Sequence, residues 1–401
     1  MPKTALSNRA RKTPPSPIRK LAPLAIKATK AGTHVYKLNI GQPDIESPRE
    51  YFEGLRLFDE KVIAYEESQG NERLCKAWSR YINRTLNIDT RPEQFIITVG
   101  ASEALVFTFM TCCDPGDEII IFDPTYANYI GFATIAGINL VPVLCNMENN
   151  FALPVRGRIA DKITDRTRAI LLCTPNNPTG TVCSKEELGI LFDLCEEHNL
   201  FLIVDETYRE YVYDDFDPLS VLNLETNSDR VIVIDSLSKR FSLCGARIGC
   251  LLTSNEEVWA SALKIAQARL AAPTMSQVAA AYMLENIKDD FLQGVINEFR
   301  VRRNALYAAL KEIQGMIVHK PQGAFYTIVQ LPVENADDFA AYMLDKFSYN
   351  GKTTFIAPAA GFYMQSSQGM QQARIAYVLN KNDIEEAIVV LAAGLESYSR
   401  R

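Results

Sequence analysis

Residues 231–249 read Val-Ile-Val-Ile-Asp-Ser-Leu-Ser-Lys-Arg-Phe-Ser-Leu-Cys-Gly-Ala-Arg-Ile-Gly. The stretch begins with a short, continuous apolar run that lacks the alternation of polar and apolar residues seen in half-exposed strands. Such a run is typical of a strand that is covered on both faces, as in a parallel sheet. A loop rich in hydroxyl groups and cations follows. The stretch therefore predicts a buried strand that leads into a polar site.

Further apolar runs of the same kind lie on both sides of this stretch, and amphipathic segments separate them. One predicted helix opens at Ser102 and continues to about Cys112; another follows a capping box at Ser184–Glu187 and extends to His198. The repeating order of strand and helix predicts an α/β fold with a mostly parallel, doubly wound central sheet, whose ligands bind beyond the carboxyl ends of the strands. The other predicted strands are Phe95–Val99, Glu118–Phe122, Leu140–Leu144, Ala169–Cys173, Leu200–Asp205 and Ile248–Thr253.

The pattern changes towards the carboxyl end of the chain. It becomes mostly helical from about Asn255, and residues 315–401 then mix strands and helices in the manner of a smaller α+β domain. The elements predicted there are strands near Met316–His319, Ala324–Leu331 and Arg374–Val378, and helices over Ala336–Phe347 and from Asp383. We predict three parts: an N-terminal segment, 1–45, that packs with the small domain, a large α/β domain, 46–290, and a small C-terminal domain, 291–401.

Composition excludes several classes of protein. The chain has 401 residues, of which 47% are hydrophobic, but no apolar run approaches the roughly 18 residues of a membrane span. The net charge of −6 argues against a general nucleic-acid binder. Nine scattered cysteines without a C-x-x-C pair, together with three histidines, argue against a metal site and predict reduced thiols in a cytoplasmic protein.

The first 43 residues contain nine Lys and Arg residues and no acidic residue. A transit peptide or an anion-binding tail would have such a composition. The segment has no apolar core of the kind found in signal peptides, so we favour a simply solvated arm for residues 1–15.

The loop after the strand at 231–235 has the residue types of a phosphate-binding site. Ser236 and Ser238 supply hydroxyl groups and Arg247 a planar guanidinium, which together suit a phosphate monoester. Lys239 lies among these cations, so we expect the pKa of its amine to fall, which would favour a Schiff base with a carbonyl compound. A solvated basic loop is the alternative interpretation.

Polar residues also follow other predicted strands. Asp205 ends one strand and Tyr208 follows it, while Asn177 lies in a proline-bounded turn after another. Gly100–Ser102 opens a helix whose amide groups could bind phosphate. Tyr126 follows a further strand and could stack on a flat ring. Each of these features has an ordinary structural explanation, such as a capping carboxylate, a plain loop or packing.

Five motifs occur in the order and spacing of the class I/II aminotransferases, which the chain resembles from about Ile18 to its last helix. They are G-x-P-D at Gly41, G-A-S-E-A at Gly100, N-P-T-G at Asn177, D-E-x-Y at Asp205 and S-x-S-K-x₅-G-x-R at Lys239. The resemblance implies a fold-type I enzyme of the aspartate aminotransferase superfamily that depends on pyridoxal 5′-phosphate.

The resemblance assigns roles toward the cofactor. Lys239 would form the internal aldimine and then act as base and acid, Asp205 would pair with the pyridinium nitrogen, and Tyr208 and Asn177 would bond to the ring hydroxyl oxygen. The remaining implied cofactor residues are Gly100, Ala101, Ser102, Ser236, Ser238 and Arg247 around the phosphate, Tyr126 on the ring, and Tyr65, which would reach the phosphate from the partner subunit.

The resemblance also implies a substrate and an assembly. Arg374 would clamp the substrate α-carboxylate, with Gly41 and Asn177 beside it, in a homodimer whose active sites lie at the interface. We favour an aminotransferase that moves the amino group of aspartate to 2-oxoglutarate, with alanine or aromatic donors next. A lyase that cleaves a Cβ–S bond is the alternative reaction. A DNA-binding regulator would need an added N-terminal domain, for which the roughly 15 residues before the match are too few.

Two departures from the family pattern concern the substrate. The segment Ala357–Tyr363 differs from the usual P-G-x-x-F-G loop, and the sequence analysis assigns no arginine to the distal carboxylate of a dicarboxylic substrate. The resemblance therefore indicates the reaction more directly than it indicates the amino donor.

Overall fold

The structure, a computed structural model, describes residues 6–225, 227–365 and 367–400. Its strands are β1 (His34–Lys37), β2 (Phe95–Thr98), β3 (Glu118–Asp123), β4 (Asn139–Leu144), β5 (Thr167–Cys173), β6 (Phe201–Asp205), β7 (Val231–Ser236), β8 (Gly249–Thr253), β9 (Ile317–Val318), β10 (Tyr326–Gln330), β11 (Lys352–Phe355), β12 (Ala357–Pro358) and β13 (Gln372–Ala376).

The helices include both short connectors and long amphipathic segments. They are α1 (Asn8–Lys12), α2 (Ala22–Lys30), α3 (Arg49–Arg56), α4 (Glu72–Leu86), α5 (Ala101–Cys112), α6 (Asn128–Ala136), α7 (Arg156–Ala160), α8 (Lys185–Glu197), α9 (Glu256–Arg269), α10 (Thr274–Asn286), α11 (Asp289–Lys311), α12 (Ala336–Asp345) and α13 (Lys381–Ser399). None of the helices in the described part of the chain is long and apolar enough to cross a membrane.

A seven-stranded sheet forms the centre of the molecule, in the order β2-β8-β7-β6-β5-β3-β4. Strands β4, β3, β5, β6 and β7 pair in parallel, while β8 runs antiparallel to both of its neighbours. The predicted mostly parallel, doubly wound sheet is confirmed, and all seven predicted central strands are present within two residues of their expected ends.

Both faces of this sheet are covered, as the continuous apolar runs predict. Ile232 and Ile234 of β7 contribute to one core cluster, and Val231 and Val233 contribute to another. Alternate side chains of a strand point to opposite faces, so the two clusters lie on opposite sides of the sheet. The core therefore leaves only the strand ends free to form a site.

Residues from both ends of the chain form a second, smaller assembly. Strands β12, β13, β10 and β9 make an antiparallel sheet, and β1 pairs in parallel with β11. Two ion pairs join the N-terminal segment to α12: Lys20 to Asp337 at 2.9 Å and Lys27 to Asp345 at 2.7 Å. The three-part division of the chain stays a prediction, and its boundary at 290/291 falls in the first turn of α11.

Two predicted elements begin two residues before their expected starts. The last helix begins at Lys381, before Asp383, because the side chain of Asn380 accepts the amide N–H of Asp383 and so caps the helix earlier. Strand β13 begins at Gln372, so Arg374 lies inside it rather than at its start, and pairs there with Ile328 and Ala357. A strand with neighbours on both sides holds the Arg374 backbone more firmly than a strand end would.

A buried carboxyl group lies at the end of β3. Asp123 is 3% exposed; its Oδ2 accepts the amide N–H of Met364 at 2.8 Å, and its Oδ1 has no hydrogen-bond partner among the described residues. Burial raises the pKa of Asp123 to about 6. Because the folded carboxyl binds its proton more tightly than the unfolded one, ionisation of Asp123 opposes folding.

We expect Asp123→Asn to stabilise the protein at neutral pH but not in acid. The wild type loses stability as the pH rises from about 4 to about 6, by up to about 3 kcal/mol, whereas asparagine stays neutral. The stability difference between variant and wild type, from urea unfolding at pH 4.5 to 8, should therefore grow to about pH 6 and then level off. Asp161→Asn, at an exposed position, is the control. A pH-independent difference for Asp123→Asn would contradict this explanation.

Candidate active site

A cleft of about 620 Å³ lies at the carboxyl ends of β5, β6 and β7. It brings together ten of the residues that the sequence singled out: Ala101, Ser102, Tyr126, Asn177, Asp205, Tyr208, Ser236, Ser238, Lys239 and Arg247. The parallel register explains the convergence, because Cys173, Asp205 and Ile234 are level with one another in adjacent strands. The loops that follow these residues therefore meet at one edge of the sheet.

Lys239 is held in the cleft through its amine. Its Nζ donates to the carbonyl oxygen of Gly41 at 2.9 Å and lies 3.7 Å from Sγ of Cys244. The pKa of Lys239 is lowered, as expected, but burial is the largest cause, and the nearby Arg374 and Arg247 cations are lesser ones. The neighbouring cations, from which the sequence predicts the shift, are therefore not its main cause. A lowered pKa favours the neutral amine, which is the nucleophilic form.

Asp205 occupies the last position of β6, and two neighbouring residues donate hydrogen bonds to its carboxylate. Its Oδ1 accepts the hydroxyl and the amide N–H of Thr207 at 2.6 and 3.1 Å, and its Oδ2 accepts the hydroxyl of Tyr129 at 2.7 Å. Burial raises the pKa of Asp205, and these hydrogen bonds oppose the shift. A buried carboxylate with this orientation can bind a cationic ring nitrogen in the cleft.

A chain of polar groups crosses the cleft beside Asp205. The amide of Asn177 donates to the hydroxyl of Tyr208 at 3.4 Å, and that hydroxyl lies 3.0 Å from the hydroxyl of Tyr326. Tyr126 also lines the cleft, with its hydroxyl accepting from Asn128 at 2.7 Å. The hydroxyl and amide groups can bond to an oxygen on a planar ligand, and the Tyr126 ring offers it an apolar face.

The far end of the cleft has the donors of a phosphate site. Helix α5 begins at Ala101, and the first amide groups of a helix have no partner within it. Ser236 and Ser238 share a hydrogen bond of 2.8 Å, and the Arg247 guanidinium donates to the carbonyl oxygens of Cys244 and Val99. Helix amides, hydroxyl groups and a guanidinium that converge on one space fit the phosphate of pyridoxal phosphate.

A glycine is required at position 100 because the Arg247 side chain lies close to its Cα. Its φ is +74°, and a Cβ at this position would lie 2.5 Å from Nη2 of Arg247. Gly41 is required for a different reason, since a Cβ there would lie 1.7 Å from the hydroxyl of Tyr326. Both glycines therefore lie beside residues of the cleft, and each makes room for a side chain of the site.

Arg374 lies beside the cleft, fully buried between two aromatic rings. Its guanidinium carbon is 4.5 Å from the centroid of Tyr326 and 4.9 Å from that of Phe362. Nη1 donates to Oδ1 of Asn177 at 3.0 Å, Nη2 donates to the carbonyl oxygen of Asn39, and Nε has no partner among the described residues. A buried guanidinium without a carboxylate partner is suited to bind one from a ligand.

Tyr65 does not line the cleft of its own chain. Its side chain is 81% exposed, and Val62 and Ile63 beside it are also exposed, as are Phe52 and Leu57 nearby in the sequence. Its role in the partner's site stays a prediction.

Several residues of the site do not stand out in the sequence. Tyr326, Cys244 and Tyr129 contact Arg374, Lys239 and Asp205 respectively, and Arg19 and Gln42 line the cleft. Cys244 lies within the quoted S-x-S-K-x₅-G-x-R motif and could have been noted from it. The other contacts join residues far apart in the chain, so no local pattern would have identified them.

A buried ionic cluster lies behind the site. Arg209 pairs with Glu206 and Glu210 at 3.0 Å each, and Arg240 pairs with Glu210 at 3.0 Å and with Asp235. Both guanidinium groups have no exposed side-chain surface. Since each arginine directly follows a residue of the cleft, Tyr208 or Lys239, the cluster fixes the two loops relative to each other.

Comparison with known proteins agrees with this geometry. The family model for aminotransferase class I and II matches residues 33–391. The aspartate aminotransferase of Thermotoga maritima is 32% identical over 314 residues, which are 77% of this chain and 81% of the relative. That of Bacillus subtilis is 28% identical over 403 residues, which are 98% of this chain and all of the relative.

A solved structure has the same architecture. The alanine aminotransferase of Pyrococcus furiosus superposes with a TM-score of 0.89 at 29% identity, covering 98% of this chain and all of the other. Family match, architecture and cleft agree, and the chain is a member of the class I and II aminotransferases, a pyridoxal-phosphate-dependent transaminase of fold type I.

Proposed function

We propose that this aminotransferase takes its amino group from aspartate and delivers it to 2-oxoglutarate. The observation that supports the transfer chemistry is the convergence of the Lys239 amine, the Asp205 carboxylate and the donors around Arg247 in one cleft, with Arg374 beside it. Support for aspartate comes from relatives that are named aspartate aminotransferase. The similarity to an alanine aminotransferase makes alanine the main rival donor.

The residues of the cleft divide into groups that would hold the cofactor. The α5 amides, Ser236, Ser238 and Arg247 would bind its phosphate, Tyr126 would cover its ring, and Asn177 and Tyr208 would bond to its ring oxygen. Asp205 would keep its ring nitrogen protonated. The bound cofactor then supplies an electron sink for the electron pair left at the substrate Cα.

Lys239 is the residue that would move the substrate proton. Its lowered pKa makes a neutral amine available, which can accept the proton from Cα and return it on the product side. Arg374 would bind the α-carboxylate through two parallel N–H···O bonds and so fix Cα within reach of that amine. The rings of Tyr326 and Phe362 would keep water from this contact.

We further propose a cytoplasmic homodimer with its active sites at the interface. The exposed apolar side chains of Phe52, Leu57, Val62, Ile63 and Tyr65 lie close together in sequence, and a second copy of the chain would cover them. All nine cysteines are free, which fits a reducing compartment.

Single-turnover spectroscopy of the holoenzyme tests the proposed donor. Aspartate should convert the cofactor to its aminated form, and 2-oxoglutarate should restore the starting spectrum. We expect kcat/KM for aspartate to exceed that for alanine or aromatic amino acids by at least tenfold. Preference for alanine would refute the donor but not the transamination. Release of pyruvate and sulfide from a sulfur-containing amino acid without an oxo acid would identify the lyase reaction instead.

Replacing Arg374 tests the α-carboxylate clamp. Arg374→Lys removes the planar fork, and we expect KM to rise roughly 10- to 100-fold for every amino acid and oxo acid alike. Arg302→Lys is the matched control, since Arg302 is also buried but bonds to Asp44 and to the Val378 carbonyl group, away from the cleft lining. A loss confined to dicarboxylic substrates would move the clamp to another residue.

Hybrid dimers test whether Tyr65 acts across the interface. Lys239→Ala and Tyr65→Ala subunits should each be nearly inactive alone. Random exchange should give half of the dimers one intact site, so about a quarter of wild-type activity should return. Failure to regain activity, once mass spectrometry has shown subunit exchange, would place Tyr65 outside the partner's site.

A further inference from the structure

Tyr326 is buried between two residues that the proposed function uses. It is 2% exposed and lies on β10 of the smaller sheet. Its ring meets the ring of Tyr208 edge to face, with 5.6 Å between the centroids, and the Arg374 guanidinium carbon lies 4.5 Å from the Tyr326 centroid. The proposed function uses the Tyr326 ring to exclude water from Arg374, but it gives the hydroxyl group no role.

The hydroxyl group of Tyr326 has one acceptor within reach. It lies 3.0 Å from the hydroxyl of Tyr208, and no other side chain among the described residues forms a hydrogen bond with it. The backbone of Gly41 packs against it, since a Cβ at position 41 would lie 1.7 Å from the Tyr326 hydroxyl oxygen. A buried hydroxyl group that cannot turn to water donates to the acceptor that it can reach. The geometry therefore favours donation from Tyr326 to Tyr208.

Two further contacts favour the same direction. Oδ1 of Asn177 accepts from Arg374, which turns the amide nitrogen toward Tyr208, and that nitrogen donates to the Tyr208 oxygen at 3.4 Å. The Tyr208 oxygen thus already acts as an acceptor. Burial raises the pKa of Tyr326, and the neighbouring Arg374 cation opposes this rise and so makes Tyr326 a better donor. Tyr208, which lines the cleft, then keeps its own proton for a ligand.

We propose that Tyr326 is a positioning residue of the transamination, whose hydroxyl group donates to Tyr208 and so orients the Tyr208 proton toward the cofactor ring oxygen. This inference rests on the role that the proposed function gives to Tyr208. Successive hydrogen bonds polarise one another, so a hydroxyl group that accepts a bond is also a stronger donor. A stronger donor stabilises negative charge on the ring oxygen, which lowers the pH at which the absorbance of the bound cofactor changes.

Spectral titration of the holoenzyme measures this effect apart from catalysis. We expect Tyr208→Phe to raise the midpoint of the absorbance change by about 1–2 pH units, because it removes a hydrogen bond to a charged group. Tyr326→Phe should raise the midpoint by about 0.1–0.6 unit, since the polarising effect of one bond on the next is about 10–30%. With Tyr208→Phe already present, Tyr326→Phe should shift the midpoint no further. The charged side chains of the cleft are the same in every variant.

Tyr213→Phe is the matched control. Tyr213 is also buried, and its hydroxyl group donates to the carbonyl oxygen of Ala324 at 2.6 Å, so its loss should leave the midpoint unchanged. If Tyr208→Phe shifts the midpoint but Tyr326→Phe does not, the inference alone is wrong. An unchanged midpoint in Tyr208→Phe would refute both the inference and the proposed role of Tyr208. A shift from Tyr326→Phe that persists without the Tyr208 hydroxyl would also overturn the inference, because Tyr326 would then act by another route.

Steady-state kinetics separate the hydroxyl group of Tyr326 from its ring. Phenylalanine keeps the ring beside Arg374, so Tyr326→Phe should change KM for amino acids and oxo acids by less than about twofold. Tyr326→Leu removes the aromatic face as well and should raise KM about 2- to 30-fold. An equal rise in KM for both variants would assign the hydroxyl group to the α-carboxylate site and overturn its link to Tyr208.

Discussion

The active site depends on a cluster of buried charged side chains that lies behind the cleft and does not line it. Arg209 and Arg240 lie between Glu206, Glu210 and Asp235, and all five side chains are buried. Removing one member of such a cluster leaves an unpaired charge in a low-dielectric interior, which typically costs several kcal/mol. The cluster therefore tolerates only a narrow range of positions for the loops after β6 and β7, and those loops carry Tyr208 and Lys239.

Aromatic side chains reinforce the cluster from its edges. Nε1 of Trp78 donates to Asp235 at 3.3 Å, and the hydroxyl of Tyr81 donates to Glu210 at 3.2 Å. Tyr211 donates to the carbonyl oxygen of Lys239 at 2.8 Å, which ties the lysine backbone to the neighbouring loop. These contacts position the Lys239 backbone without touching its amine, which bonds instead to the carbonyl oxygen of Gly41.

The residues proposed to bind the substrate come from a different part of the chain. Arg374 lies in β13 of the smaller sheet, yet its guanidinium bonds to Asn177 from the loop after β5 and to the backbone of Asn39. Gly41 contacts Lys239 from the same N-terminal segment. The cleft thus combines residues that would bind the cofactor, from one sheet, with residues that would bind the substrate, packed against another.

The amino-acid sequence alone determined the central architecture and most of the residues that converge on the cleft. Continuous apolar runs predict strands covered on both faces, and polar residues such as Asp205 and Lys239 directly follow two of those runs, so their convergence follows from the geometry of a parallel sheet. Tertiary structure alone decided the rest. The contacts of Tyr326 with Arg374 and of Arg19 with the cleft join positions separated by tens to hundreds of residues, and burial is what lowers the pKa of Lys239. Long-range contacts and desolvation depend on how separate elements pack, which no local pattern of residues encodes.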